Sequence, residues 1–326
     1  MLNIVRRRLD FSLFLVLIFL SLVFIFIPSL SDSVLDGIKL FFACVLPSLF
    51  PYFFITAILT ELKTTSKISN SLSPIMKKVF NVNGVCGYTF FMSVIAGFPM
   101  GAKLVSDLKT KGFLTETESV RASAFCSTSS PVFLIVSVGS MMFKNTVFGV
   151  LLFLTNIMSA ILVGIVFSFY RRKDKPKKIA NLKQNVNVDF AFSDCVYSAV
   201  NSSLFVGAVI TLFYTITEVL VALKILSPIT YIFNTVIKDF NLSNGLTLGF
   251  FEITKGLKTV SNGGITLLSL PVSAFICGFG GISVIAQSVA FLKKAKIKTA
   301  PFVLAKTLSA IFSFIIGLVF SLVFFC

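Results

Sequence analysis

The chain has 326 residues, 56% of them hydrophobic and 13% charged, with a mean hydropathy of +0.96, a composition that excludes a pair of ordinary soluble domains and describes an integral membrane protein. Histidine and tryptophan are absent, which removes histidine general bases, Ser-His-Asp triads and histidine-ligated metals. The formal charge is +16, yet the lysines and arginines cluster between apolar segments and no basic domain stands apart, so the excess reads as membrane topology rather than nucleic-acid binding.

Phe11 to Leu30 is twenty residues without a charge, enough at about 1.5 Å per residue to cross a hydrocarbon core of roughly 30 Å. Arg6, Arg7 and Arg8 precede it. The apolar stretch is too long for a signal-peptide core and no small-residue cleavage site follows, so residues 1–31 are expected to form an anchor with a cytoplasmic N-terminus. Val34 to Thr60, Thr146 to Tyr170, Val196 to Leu223 and Pro301 to Cys326 read as further full spans. Between them lie Gly84 to Lys111, Thr115 to Phe143, Asn244 to Asn262 and Gly263 to Leu292, each interrupted by glycine, proline or hydroxyls. Such breaks would leave backbone groups unpaired in lipid, so they belong inside protein or beside a watery cavity. Arg171 to Lys178 is the most basic stretch. It marks 171–193 as a cytoplasmic linker, and the lysines flanking the interrupted pieces, Lys109, Lys111 and Lys293 to Lys298 among them, place those loops on the same side. This arrangement requires Gly84 to Lys111 to be a re-entrant hairpin and Thr115 to Phe143 a broken crossing helix. If every piece were a plain short span, Lys109 and Lys111 would lie outside.

The chain repeats itself. Leu72-Ser73-Pro74-Ile75 recurs as Leu226-Ser227-Pro228-Ile229, Phe80 to Gly84 has a counterpart in Phe240 to Gly245, and Gly101-Ala102-Lys103-Leu104-Val105-Ser106 in Gly256-Leu257-Lys258-Thr259-Val260-Ser261. Residues 32–170 and 194–326 are therefore read as two repeats. Asp32 follows the anchor and Asp194 follows the basic linker, which puts them on opposite sides and makes the repeats inverted. The fold class expected is all-α and polytopic, an inverted repeat with re-entrant hairpins and broken transmembrane helices. Paired breaks of this kind point to a transporter site near the bilayer midplane.

Candidate binding residues follow from the breaks. In the first hairpin tip, Gly97 and Pro99 reverse the chain, and the helix that begins after them offers free N–H groups. Lys103 either contacts a solute or pairs with Asp107 one turn on. Ser127, Thr128, Ser129 and Ser130 either cap the broken backbone themselves or bind a solute. In the second half the candidates are Glu252 and Thr254 at the hairpin tip and Gly280, Gly281, Ser283 and Gln287 in the broken helix. Glu252 is the carboxylate placed at membrane depth, functional unless it merely pairs with Lys255 or Lys258. Ser283 and Gln287 share a helix face. The six cysteines Cys44, Cys86, Cys126, Cys195, Cys277 and Cys326 show no C-x-x-C spacing, so neither a disulfide framework nor a metal site is expected. No cofactor motif, nucleotide-binding loop or paired nucleophile and base is present, and no enzyme activity is expected.

The segments Gly97-Phe98-Pro99-Met100-Gly101-Ala102-Lys103, Phe125-Cys126 through Pro131-Val132-Phe133, Phe251 to Gly256, and Gly278-Phe279-Gly280-Gly281-Ile282-Ser283 with Gln287 carry a family resemblance. From about Asp32 to the C-terminus the chain resembles the YlbJ-type sporulation integral membrane proteins of the Gate, or nucleoside-recognition, domain family. The resemblance implies a plasma-membrane protein of spore-forming bacteria, associated with cortex formation, with a fold related to concentrative nucleoside transporters and to the gate of ferrous-iron transport proteins. Where this chain has Ser127 the family usually carries asparagine, so base recognition through a side-chain amide is not carried over. The expectation is a permease for a small polar, nucleoside-like solute; the alternative is a membrane scaffold of sporulation that retains a transporter fold. The partners expected are the lipid bilayer, a small polar solute, and either a second copy or a sporulation membrane protein.

Overall fold

The computed structural model describes residues 27–42, 46–61, 64–176 and 192–325, together with the single positions 18 and 21. Most of the anchor Phe11 to Leu30, much of the basic linker and Cys326 lie outside the described residues. Every regular element among the described residues is helical. In chain order these are α1 (Ile27–Leu40), α2 (Leu46–Glu61), α3 (Thr64–Ile75) continuing into a π-helical turn (Met76–Phe80), α4 (Val85–Ala96), α5 (Met100–Thr110), α6 (Glu116–Phe125), a π-helix (Val132–Met142) and α7 (Thr146–Ser168). The second half contains α8 (Phe192–Ala222), α9 (Ser227–Ile237), α10 (Phe240–Phe251), α11 (Ile253–Ser261), α12 (Ser269–Phe279), α13 (Gly281–Lys294) and α14 (Ala300–Phe324).

The long helices have the patterning that lipid demands. On α7, Val147, Val150, Leu154, Met158, Leu162, Ile165 and Val166 are exposed, whereas Thr155, Asn156, Ser159, Ala160 and Gly164 are buried. On α14 the buried face is Phe302, Ala305, Lys306, Ser309, Ala310, Ser313, Gly317 and Ser321, and the exposed face is leucine, isoleucine and valine. Apolar side chains face outward because hydrocarbon is the solvent, and small residues face inward because close backbone approach drives helix association there. α7, α8, the α12–α13 pair (Ser269–Lys294) and α14 are long and apolar enough to cross a membrane. A fifth candidate is Ser71–Phe80 with Val85–Ala96, which meet at 90°. The chain is a multi-pass membrane protein. Of the expected span Val34 to Thr60, residues 43–45 lie outside the described residues, and the described parts on either side are α1 and α2. The polar stretch Ser31 to Gly37 gives α1 an amphipathic character, and α1 and α2 both pack against α8.

Both hairpins and both broken helices are present. α4 and α5 meet at Gly97–Pro99, and α6 gives way at Cys126–Ser130 to the π-helix. α10 and α11 meet at Glu252, and α12 gives way to α13 at Gly280 and Gly281, both at positive φ. The two halves thus share an order: hairpin, broken helix, final span. The final spans run antiparallel. Arg121 on α6 binds the carbonyls of Tyr170 and Arg171 past the end of α7, and Glu116 on the same helix accepts from the backbone N–H of Lys298 just before α14. At the other end Phe148, near the start of α7, packs against Phe325 after α14. Their middles meet where Ser159 and Ser309 hydroxyls lie 3.3 Å apart. The far limbs of the broken helices cross between halves, α13 packing on α5 and the π-helix on α11. This antiparallel sense is the one an inverted repeat requires.

The same contacts gather the basic loops. Lys109 pairs with Glu116 and donates to the Lys296 carbonyl at 3.1 Å, so the loops around residues 111 and 296 share one end with Arg171. The plain-span alternative, which separates Lys109 from those loops, is not the arrangement observed.

Candidate solute-binding site

The first break is tied to the first hairpin through backbone. Gly97 has φ +79° and lies so close to Ser130 that an added Cβ would sit 2.7 Å from the Ser130 nitrogen. Glycine is required there both by the conformation and by the space. Thr128 Oγ1 donates to the Ser93 carbonyl at 2.9 Å, and the Ser129 N–H donates to Asn156 Oδ1 at 3.0 Å. Ser130 Oγ accepts from the Phe133 N–H at 3.3 Å, capping the π-helix. The self-capping reading therefore holds for Thr128 and Ser130. It does not hold for Ser127 and Ser129, whose buried hydroxyl oxygens have no hydrogen-bond partner among the described residues. Buried hydroxyls without partners are uncommon and mark a place where a ligand atom would be stabilising.

In the second half Glu252 is 2% exposed, and its carboxylate does something the sequence did not announce. One oxygen accepts from the Thr254 N–H at 3.1 Å and the other from the Lys255 N–H at 2.7 Å, making Glu252 the N-cap of α11. A charge facing the first free N–H groups of a helix is favourably placed even in an apolar setting. Lys255 pairs instead with Glu218 on α8 and lies over the Tyr214 ring. Replacing Glu252 by glutamine therefore loses one of two caps and should lower stability by about 1 kcal/mol. Because Lys255 has its own partner, the further change Lys255→Met should add its own loss rather than restore stability; recovery of the melting temperature in the double variant would assign the pairing the other way.

Ser129, Ser130, Glu252, Thr254, Ser283 and Gln287 line one cavity of about 730 Å³, together with Gly97 and Phe98 of the first tip. Both hairpin tips and both breaks thus contribute to a single space. Gln287 Nε2 donates to Ser283 Oγ at 3.3 Å, and its amide also carries an acceptor oxygen. The mouth is formed by Asp36, Lys39, Lys258, Ser261 and Asn262. It opens at the end opposite the basic loops, since the turn after Asn262 is held by Ser321 Oγ donating to Leu267 O near the end of α14.

The other candidates lie elsewhere. Pro99, Ser127, Thr128, Gly280 and Gly281 shape the breaks without lining the cavity. Lys103 is also absent from the lining and pairs with Asp107 at 2.9 Å, the structural alternative. One residue escaped the sequence reading. Lys306, seven residues into the final span, is 1% exposed and has its ammonium 4.3 Å from the Phe98 ring centroid and 3.4 Å from the Ser127 carbonyl. A lysine inside the apolar run Pro301 to Cys326 was signal enough, because an ionisable group at membrane depth is seldom incidental. No group of three or more metal-ligating side chains occurs among the described residues.

Comparison with known proteins agrees with this architecture. Residues 42–170 match the family model of the Gate domain, described as nucleoside recognition. Over 301 residues the chain is 28% identical to the sporulation integral membrane protein YlbJ of Bacillus subtilis (strain 168), covering 85% of this chain and 74% of that protein. No solved structure matches the chain. The matched regions include the first hairpin tip and break: residues 42–170 carry the likeness to the Gate domain, and most of the chain is similar to a YlbJ-type sporulation integral membrane protein.

Proposed function

We propose that this protein is a permease-like carrier that binds a small polar solute in the cavity between its two repeats and serves spore development. The observation that carries the reading is the convergence of both hairpin tips and both helix breaks on one 730 Å³ space. That volume suits a nucleoside-sized molecule, and the Gate family's description as nucleoside recognition supports the same size and polarity. Hydroxyl and amide groups of Ser129, Ser283 and Gln287 would replace the solute's water, and the inverted repeats would rock about the site. Transport, not catalysis, is the role proposed. With the basic loops in the cytoplasm, the cavity faces outward in the conformation described here. Cysteines placed singly at Lys111 and Asn262 in a cysteine-free background test that orientation: an impermeant thiol reagent should label only the Asn262 position in intact cells, and the reverse pattern would invert the model.

A second reading is a scaffold that kept the fold without turnover. It is favoured by the use of Thr128, Asn156 and Glu252 for internal capping. Uptake and thermal-shift screens of the purified protein with nucleosides, amino sugars and divalent ions separate the two. The carrier reading expects a saturable ligand whose binding falls at least about tenfold in Gln287→Leu and Ser129→Ala, with the melting temperature of both ligand-free variants close to wild type. Silence across the panel would favour the scaffold.

A further inference from the structure

Lys306 is placed as few buried lysines are. Its ammonium lies within the last span and is almost wholly shielded, and no carboxylate pairs with it among the described residues. Its contacts are the Ser127 carbonyl at 3.4 Å, long for a hydrogen bond, and the face of Phe98. Cys277 and Gly280 of the second break complete its surroundings, the lysine's Cε lying 3.6 Å from a Cβ built on Gly280. The lysine therefore stands where the two breaks come together. The first break, whose Ser127 carbonyl it touches, also holds two buried hydroxyls, Ser127 Oγ and Ser129 Oγ, that lack partners among the described residues. A buried cation with one carbonyl and one ring is poorly compensated; a full counter-charge at the same place would be strongly favourable. The buried carboxylate of the second hairpin tip, Glu252, is engaged elsewhere, its two oxygens capping α11.

We propose that the solute carries an anionic group, a carboxylate or a phosphate, and that Lys306 is its counter-charge, with the hydroxyls of Ser127 and Ser129 as additional donors. This rests on the carrier reading and narrows its substrate class. Phe98 lines the cavity and also carries Lys306 over its ring, so displacement of that ring is the route from cavity to ammonium. Three donors of this kind match the several acceptor oxygens of an anion better than they match a neutral hydroxyl. At the mouth Lys39 is offset by Asp36 3.7 Å away, and Lys258 adds a positive charge that would draw an anion inward.

The test uses the full-length protein in detergent and matched probe pairs: nucleosides with their 5′-monophosphates, and N-acetylglucosamine with its carboxylated lactyl ether. Binding is followed by thermal shift and calorimetry. In at least one pair the anionic member should bind about tenfold or more tightly than the neutral one, and the pair that responds tells phosphate from carboxylate. Lys306→Met should erase that preference and Lys306→Arg retain it. Ligand-free Lys306→Met should melt at or above the wild-type temperature, since it removes an uncompensated charge. Equal binding of neutral and anionic members would overturn the inference and leave the carrier reading standing, as would an anion preference that survives in Lys306→Met. A marked drop in ligand-free stability of Lys306→Met would show the lysine to be a structural pair and overturn it too. Failure of every probe to bind would remove both the inference and the carrier reading.

Discussion

Arg121→Met is expected to melt far below the wild-type protein and to lose order at the end of the molecule where the basic loops gather. Arg121 is 1% exposed. Its guanidinium donates to Asn81 O at 2.6 Å, to Tyr170 O at 3.0 and 2.8 Å, to Arg171 O at 2.8 Å and to Asp174 O at 3.2 Å. Three of those carbonyls follow α7, whose last turns have no intrahelical donors to satisfy them. The fourth precedes α4. One side chain therefore joins the broken helix, the end of the final span of the first repeat, and the entry to the first hairpin. Removing it takes a charged donor from four carbonyls, of which Arg171 O keeps the Asp174 N–H at 2.9 Å, and bonds to a charged donor contribute about 1.5–3 kcal/mol each before non-additivity is counted, so a net loss of roughly 3–5 kcal/mol is expected. Arg121→Lys should recover only a fraction, because a single ammonium cannot fan out to four carbonyls as the planar fork does. The measurement is thermal stability in detergent beside limited proteolysis after Tyr170. A methionine variant that melts with the wild type would show the clamp to be incidental.

Gly101→Val is expected to be nearly as damaging, by a different mechanism. Gly101 lies in the first turn of α5, and its α-carbon faces the Cys126 carbonyl at the start of the first break, with Ser93 Cβ 3.0 Å from where a Cβ would stand. The obstructing carbonyl is backbone, so it cannot rotate away. Overpacking costs about 1–3 kcal/mol when side chains can adjust, and more is expected where the backbone must move. Displacing the hairpin from the break would also shift Ser129 and Ser130 relative to Gly97, so solute binding should be lost even in molecules that remain folded. Gly112→Ala is the control. That glycine also has positive φ, but nothing lies within 4 Å of its would-be Cβ, so only about 1 kcal/mol of backbone strain is expected. If the two variants were equally stable, the close packing of hairpin against break would not matter to the fold.

Membrane class, helix content, the two hairpins and the two broken helices were all legible from the chain, because hydrocarbon solvent forces long apolar helices and allows Gly, Pro and hydroxyl breaks only where protein shelters them. Gly101 and Gly256, which the sequence sets in corresponding positions, are both close-approach positions in the second helix of a hairpin, the first against Cys126 and the second against Gly249 and Gly245. That α1 and α2 dock on α8 was not legible, since hydropathy counts apolar residues and cannot register which helix they pack against. Nor could a linear pattern assign partners. Lys103 and Asp107 pair locally as their spacing allowed, whereas Lys255 leaves its sequence neighbour Glu252 for Glu218 on another helix. Glu252 is thereby free to cap α11, and the lysine at the centre of the crossing proves to be Lys306, brought from the far end of the chain to Ser127. Periodicity and composition determine which segments enter the membrane and where they break. Which charges meet depends on how inverted halves interlock, and that is settled by long-range packing that no local window contains.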